Sequence, residues 1–315
     1  MAFSIASPRT VPRTPARFGL TVDQLHLLQV ECAGLAIPPE FRSEWADEVP
    51  ADERAERMHA AEMGLIDQGL LRAASALSPN TDAGAEPDFA ARVHPAVLSF
   101  LGLFTEPALL LTVHSWGGGR TILQTIAVRA GFAASLVRGQ RLNDRGAEPR
   151  NEDAVELSAF PVAALISEAL RALIRLQPQD DDTPDTPAGS VVLPLTLAQG
   201  MIGAIRTQNP EIIHAAALQV GVPQAERVLE GAAFGIDAGN TLAATSLTGD
   251  TVAVHWFRGT TGWFQLSADT PVVGRIESTA DFVDSSRVRI STTNTAAIVG
   301  QVTTAVGSLL GVLRG

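Results

Sequence analysis

Histidines are the side chains of this sequence best suited to acid–base or metal chemistry, and they are dispersed: His26, His59, His94, His114, His214 and His255. None lies at the His-x-x-x-His or His-x-His spacing that brings two imidazoles to one metal ion. His114 and His255 fall in corresponding predicted hairpins, so an enzyme or small-molecule site between two halves of the chain stays one alternative. We expect neither a metal nor a cofactor.

Nucleophile motifs are also missing. The sequence has no Gly-x-Ser-x-Gly elbow, which a hydrolase of that type needs to expose its serine. The run His114 to Gly119 resembles an oxyanion-loop glycine run, but it joins two predicted strands and therefore indicates a hairpin turn. Cys32 lies on the apolar helix face of Leu25 and Leu28, which predicts a core position. We therefore expect no catalytic residues.

Composition narrows the class of protein further. The 315 residues carry a net charge of -11, with 46% hydrophobic and 18% charged residues, which is typical of a folded globular chain. An acidic protein repels phosphate backbones, so we expect no nucleic-acid partner. Every basic residue is Arg, which excludes lysine-dependent chemistry. The single cysteine fits a reducing compartment and predicts a cytoplasmic location.

An internal repeat organises the chain. Leu20 to Gln24 recurs as Leu195 to Gln199, and Val155 to Ser158 recurs as Val288 to Ser291. In the first pair of segments, Thr followed three residues later by Gln predicts a capping box that opens a helix. In the second pair, a short alternating strand leads into an apolar helix.

The elements between these segments follow the same order in both halves. Three predicted strands, at 108–115, 121–128 and 132–138, correspond to 241–247, 251–258 and 263–267. The fold class is therefore predicted as α+β, a quasi-two-fold repeat of two similar halves that form a central, largely antiparallel sheet flanked by helices.

Domain boundaries follow from the repeat. We predict a flexible N-terminal tail at 1–17, a first half-repeat at 18–176 with an insertion near 37–90, an acidic Pro-rich linker at 177–189, and a second half-repeat at 190–315, with both halves in one domain. Asp180 to Asp182 in the linker lack the fixed geometry of a metal site. The charge-free segment 291–313 has many polar interruptions, so it predicts a buried or partner-facing helix and not an integral membrane protein.

Aromatic residues are scarce but cluster in one hairpin of the second half: Trp256, Phe257, Trp263 and Phe264. Strand alternation places neighbours on opposite faces, so one residue of each pair must point away from the core side. An outward aromatic beside Arg258 predicts a protein-binding anchor, while a helix over the second face would make the same residues core. A strip of small residues on the last helix, Gly300, Gly307 and Gly311, leaves a homodimerising module as a further alternative.

The segment from Phe18 to Gln29 resembles the start of the EspG family, the cytosolic chaperones of type VII (ESX) secretion. The resemblance continues through Met63 to Ile66, the hairpin from Leu109 and the Val155 strand with its Leu-rich helix. It extends over most of 18–312 as a pattern of hydrophobic positions.

This resemblance implies a function and a binding surface. Family members bind the apolar tip of a PPE protein paired with its PE partner, keep it soluble and deliver it to the secretion apparatus. The family's contacts, carried onto this chain, fall on Trp116 to Arg120, on parts of 211–234, and on the sheet around Trp256 to Phe264. The implied partner-binding residues are Trp116, Arg120, Leu229, Phe234, Trp256, Phe257, Arg258, Trp263 and Phe264.

Overall fold

One antiparallel sheet runs through the computed structural model, which describes residues 15–43, 45, 49–74, 88–141, 150–173, 189–207, 209–221, 225–269 and 278–312. In these ranges the strands are β1 Ala16–Thr21, β2 Leu109–Gly117, β3 Arg120–Arg129, β4 Phe132–Arg141, β5 Arg150–Pro161, β6 Ser190–Pro194, β7 Ala238–Ser246, β8 Thr251–Gly259, β9 Gly262–Asp269 and β10 Arg287–Thr293. Their order across the sheet is β1-β5-β4-β3-β2-β7-β8-β9-β10-β6.

Helices connect and cover these strands. They are α1 Val22–Glu31, α2 Ala51–Asp67, α3 Phe89–Arg92, α4 Pro95–Gly102, α5 Leu165–Arg171, α6 Leu195–Thr207, α7 Pro210–Val220, α8 Ala225–Ala233, α9 Thr279–Ser285 and α10 Thr295–Val312. Two of them, α2 and α3, contain most of the described part of the predicted insertion at 37–90. None of the helices in the described ranges is long and apolar enough to span a membrane.

The strand order is symmetric about its centre, where β2 pairs with β7. Outwards from this pair the first half continues β3, β4, β5, β1 and the second half β8, β9, β10, β6. Each strand therefore has an equivalent in the other half. The predicted fold class, two half-repeats sharing one antiparallel sheet flanked by helices, is confirmed.

Sheet register corrects one detail of the predicted repeat. Leu20 pairs with Val155, and Leu193 pairs with Val288, so Leu193 is the equivalent of Leu20, two residues before the position that the sequence match indicated. A shift of two residues keeps every side chain on the same face of a strand, so the hydrophobic pattern could not reveal it.

The two-residue shift also determines which residue precedes the first helix of each half. Thr21 caps α1, with its Oγ1 accepting from the Gln24 backbone and the Gln24 Oε1 accepting from the Thr21 backbone, as predicted. In the second half Pro194 takes the place of Thr21, and α6 begins at Leu195. Thr196 is therefore inside the helix, and the predicted second capping box is wrong.

The N-terminal strand begins earlier than expected. Arg17, inside the segment predicted as a tail, pairs with Ser158 in the sheet. Its guanidinium donates to Glu156 and Glu168 at 2.7 and 2.8 Å, which fixes β1 against β5 and α5. The predicted tail at 1–14 and the predicted linker up to 188 lie outside the described residues.

The two faces of the sheet differ in their cover. One face, called here the closed face, packs against α5 and α10 through buried residues such as Leu165, Ala169, Ile298, Val302 and Val306. On the opposite face, α1, α2 and α4 form a first bundle over β1, β5 and β4. On that same face, α6, α7 and α8 form a second bundle over β9, β10 and β6.

Candidate partner-binding site

The middle of the sheet, between the two bundles, is left uncovered on one side. Cross-strand register places the following accessible residues of β2, β3, β7 and β8 on this side, which we call the open face: Leu110, Thr112, His114, Trp116, Leu123, Thr241, Ala243, Thr245, Thr251, Ala253, His255 and Phe257. All of them are half-buried or exposed, whereas their neighbours on the closed face, including Leu111, Val113, Leu242 and Ala244, are buried. Thr121, Thr125 and Ala127 of β3 face the same side as Leu123 but are buried.

The open face is about one helix wide. Its accessible residues lie mainly on β2, β7 and β8. Three strands at about 4.8 Å spacing put roughly 10 Å between the outer two, and a helix with its side chains is about 10–12 Å across. Its outer limits are Leu110, which packs against the first bundle, and Phe257, which packs against the second.

A row of three polar side chains crosses the centre of this face. Thr241 on β7 lies directly between His114 on β2 and His255 on β8. The Thr241 Oγ1 and the His255 Nδ1 are 2.9 Å apart and hydrogen-bonded. Burial by the surrounding protein lowers the pKa of His114, which favours its neutral form. With one strand between them, the two histidines are about 10 Å apart, too far to share one metal ion.

Trp116 closes one end of the open face. Its indole lies over Gly239, where an added Cβ would come within 2.5 Å of the ring nitrogen. The β2–β3 hairpin beyond it turns through Gly118 and Gly119, whose φ angles are 60° and 75°, as a two-residue turn of this kind requires. The predicted hairpin turn at the glycine run is confirmed. Arg120 is exposed beside this turn, 3.7 Å from Glu152.

The aromatic hairpin divides between both faces. Trp256 and Trp263 point to the closed face, are 1% and 4% exposed, and belong to the core that α10 covers. Phe257 and Phe264 pair on the opposite side and stack with ring centroids 5.6 Å apart. Phe264 is buried against the second bundle, while Phe257 is half-buried at the edge of the open face.

The remaining residues that the resemblance implied lie around this hairpin. Leu229 on α8 is buried in the second bundle, and Phe234 after α8 is half-buried. Arg258 points to the closed face, where its Nε donates to Asp237 at 2.8 Å. In this structure Trp256, Trp263, Phe264 and Leu229 therefore offer no surface to a partner. Trp116, Arg120, Phe257, Arg258 and Phe234 stay partly or fully accessible.

Charge distribution distinguishes the open face from the molecule as a whole. The strands β2, β3, β7 and β8 contain no Asp or Glu, although the chain carries a net charge of -11. Small and apolar side chains, with threonine hydroxyls, make up most of the floor. Such a surface suits an apolar partner segment and lacks carboxylates that would repel an acidic one.

Sequence reasoning did not single out Thr241, Ala243 and Ala253, which form the floor of the open face. Strand alternation gave the signal, since these positions are polar or small where their neighbours are apolar. Assigning them to one accessible surface required the pairing of β2 with β7, which brings residues more than a hundred positions apart into one ladder.

The histidines of the enzyme alternative can be located on this face. In the described residues, no three His, Cys, Asp or Glu side chains come together as a metal site would need. His114 and His255 lie on one face, as the enzyme alternative supposed, with Thr241 between them, and both are exposed.

The sequence and the structure were each compared with known proteins. No protein-family model and no curated protein matches this sequence. The fold class is two half-repeats that share one antiparallel sheet, with a helical bundle on each flank.

The particular likeness is to the Mycobacterium tuberculosis type VII secretion system chaperone EspG5, solved in complex with a PE25–PPE41 dimer. The match has a TM-score of 0.56 at 11% sequence identity and covers 92% of this chain and 96% of that one. The chain thus has the EspG fold over nearly its whole length, as the sequence resemblance implied.

Proposed function

We propose that this protein is a cytoplasmic chaperone of type VII secretion that binds a PE–PPE-type heterodimer. It holds the apolar tip of the PPE-type subunit on the open face, keeps the pair soluble and delivers it to the secretion apparatus. The observation that carries the proposal is the open face itself, a helix-wide strip of sheet left bare between two bundles, in a fold whose solved relative was captured with a PE–PPE dimer.

Physical chemistry supports this assignment. The open face has mostly small and apolar side chains, so a partner that covers it removes few polar groups from water. The contact buries apolar surface on both partners, which favours binding. Amphipathic helices commonly bind in grooves of this kind through one apolar stripe. Trp116 lies at one end of the open face and Phe257 at its edge, and we assign contacts with the client to both and to the half-buried Phe234 of the second bundle.

The buried members of the implied set take a different role in this proposal. Trp256 and Trp263 hold β8 and β9 against α10, and Leu229 holds the second bundle beside the open face. They shape the surface from below without contacting the client.

Recombinant co-expression tests the proposal. The chain is produced with each PE–PPE-type pair of its own organism, and the purified product is weighed by size-exclusion chromatography with light scattering. We expect a 1:1:1 complex heavier than the 33.1 kDa chain by the mass of one PE–PPE pair. Elution of the chain alone with every pair, or as a homodimer of twice its mass, would overturn the proposal.

A solubility assay separates a chaperone from a mere ligand of the pair. The PPE-type subunit, expressed with its PE partner but without this chain, should aggregate more than the same pair expressed with it. Equal solubility in both conditions would leave binding without chaperone action.

A further inference from the structure

The two histidines of the open face lie on strands β2 and β8. Neither these strands nor β3 and β7 beside them contain Asp or Glu. His114 has Leu123 on one side and Thr241 on the other, and His255 has Thr241 and Leu266. A protonated imidazole at either position has no cross-strand carboxylate to pair with.

Charged groups near the row lie outside this floor. Beyond Leu123 the row reaches Arg138 on β4, a buried cation whose Nε and Nη1 donate to the backbone carbonyls of Glu152 and Glu40 at 2.9 and 3.3 Å. The Glu40 side chain is exposed. The first-bundle helix that contacts β4, α4, has no charged residue.

The second bundle and the strand ends complete the surroundings. On α8, which packs beside β8, the charged residues Glu226, Arg227 and Glu230 are on the exposed side. Asp237 and Asp250 lie beyond opposite ends of β7; the first pairs with Arg258 on the closed face and the second bonds Thr248 in its loop.

We propose that His114 and His255 make client docking depend on pH, so that the open face binds an apolar helix while both imidazoles are neutral and releases it when they are charged. The inference rests on the proposed function and adds the regulation of the same site. Its occupant is a client helix whose contacting stripe carries no carboxylate, which matches a floor of alanine, threonine and aromatic residues.

Desolvation of the imidazoles determines whether client affinity rises or falls with pH. Covering an imidazole with an apolar helix removes water from it and disfavours the charged form, so its pKa is lower in the complex than in the free protein. Binding then releases a proton at acid pH, and affinity is greatest above the pKa of the free imidazole and lost as pH falls below it. His114 already has a lowered pKa from partial burial before any client binds.

The magnitude is set by how far each pKa moves. A shift of one unit per histidine gives a limiting loss of about tenfold in affinity, and two histidines give about a hundredfold. This limit is reached only below the lowered pKa values, so we expect the dissociation constant to rise about three- to tenfold between pH 7.5 and pH 5.5.

Biolayer interferometry with the recombinant PE–PPE-type pair as probe measures this directly from pH 8.0 to 5.5. The double variant His114→Gln/His255→Gln keeps a neutral polar side chain at both exposed positions, and its affinity should not change with pH. His59→Gln, an exposed histidine on α2 outside the open face, is the matched control and should keep the pH response of the unchanged protein. Thermal melts at each pH confirm that every variant stays folded. If the double variant does not fold, His114→Gln alone replaces it, and the logarithm of its affinity should change with pH about half as much as that of the unchanged protein.

Each outcome has a meaning. Absence of a complex already at pH 8.0 overturns the proposed function, and this inference with it. A complex whose affinity is constant or increases at pH 5.5 overturns this inference alone, since increasing affinity would mean a carboxylate on the client facing the histidines. An unchanged pH response in the double variant assigns the titration to other groups and also overturns it.

Discussion

Val113 and Leu242 lie opposite each other at the centre of the sheet, and each is the other's equivalent in the internal repeat. They pair across β2 and β7. Val113 pairs with Gln124 on β3, and Gln124 lies five residues before Arg129 at the β3–β4 turn. Leu242 pairs with Val254 on β8, and Val254 lies five residues before Gly259 at the β8–β9 turn. The quasi-two-fold axis therefore passes between Val113 and Leu242, perpendicular to the sheet. On the open face it lies between β2 and β7.

This placement gives the open face its character. The seam between the halves is a nine-residue antiparallel ladder with its closed side in one core shared by both halves. Each bundle sits at its own end of the sheet, so a strip along the seam stays uncovered among the described residues. Strands of both halves form this strip, and the second half exposes more of it.

Trp256 should be essential for stability. Its ring is 1% exposed, and its Nε1 donates to the Gln301 Oε1 on α10 at 2.6 Å. We expect Trp256→Ala to lower the free energy of unfolding by about 3–5 kcal/mol because of the cavity it leaves, and Trp256→Phe by about 1–2 kcal/mol for the lost hydrogen bond. Urea denaturation checks both. An unchanged stability with lost client binding would instead place this tryptophan at the interface.

Cys32 should dominate the alkaline pH dependence of stability. Burial is the main cause that raises the pKa of this thiol to about 11, above the ordinary value of about 8.5 in an unfolded chain. Because the unfolded chain loses the thiol proton first, stability is full below about pH 8.5 and falls by a total of about 2–3 kcal/mol as pH rises towards 11.

The sequence makes this effect easy to isolate. It has no Lys, no Tyr and one Cys, so few other side chains titrate in that range. Urea titrations of the unchanged protein and of Cys32→Ala between pH 8 and 10.5 measure it, and the variant should lose the alkaline decline. An equal decline in both proteins would contradict the prediction.

Two glycines should respond oppositely to alanine. A Cβ at Gly259 would come within 2.0 Å of the Gly231 carbonyl oxygen, so Gly259→Ala must separate β8 from α8 and should cost about 1–3 kcal/mol. Gly300 is exposed within α10, with nothing within 4 Å of an added Cβ, so Gly300→Ala should stabilise by about 0.5–1 kcal/mol. Thermal melting of the two variants side by side decides this. A Gly259→Ala variant at least as stable as the unchanged protein would show that the β8–α8 approach is not tight.

Much of this architecture could be predicted from the sequence because the repeat constrains it twice. Strand alternation and the apolar stripes of α5 and α10 are local patterns, and each occurs in both halves. The capping box at Thr21 is equally local. Pro194 shows the limit, since a two-residue shift preserves every face and only the hydrogen-bonded register reveals it.

The candidate site was less predictable for a physical reason. Whether Trp256 faces a helix or solvent depends on what covers each side of the sheet, which alternation does not encode. His114 and His255 become neighbours on one floor only when β2 pairs with β7, a contact between distant segments. The bare strip between the bundles is a property of packing, not of any single motif.

A charge placed on the open face tests the central claim most directly. Ala253 is an exposed floor residue on β8, and Ala55 is an exposed residue on α2. Ala253→Arg and Ala55→Arg make the same chemical change at the two positions, and the affinity of each variant for the recombinant PE–PPE-type pair is measured by isothermal titration calorimetry at pH 8.0. We predict at least about a hundredfold weaker binding for Ala253→Arg, because a buried unpaired charge is costly at an interface. The Ala55→Arg variant should bind like the unchanged protein. Equal, undiminished binding by both variants would contradict the claim that the client docks on the sheet between the bundles.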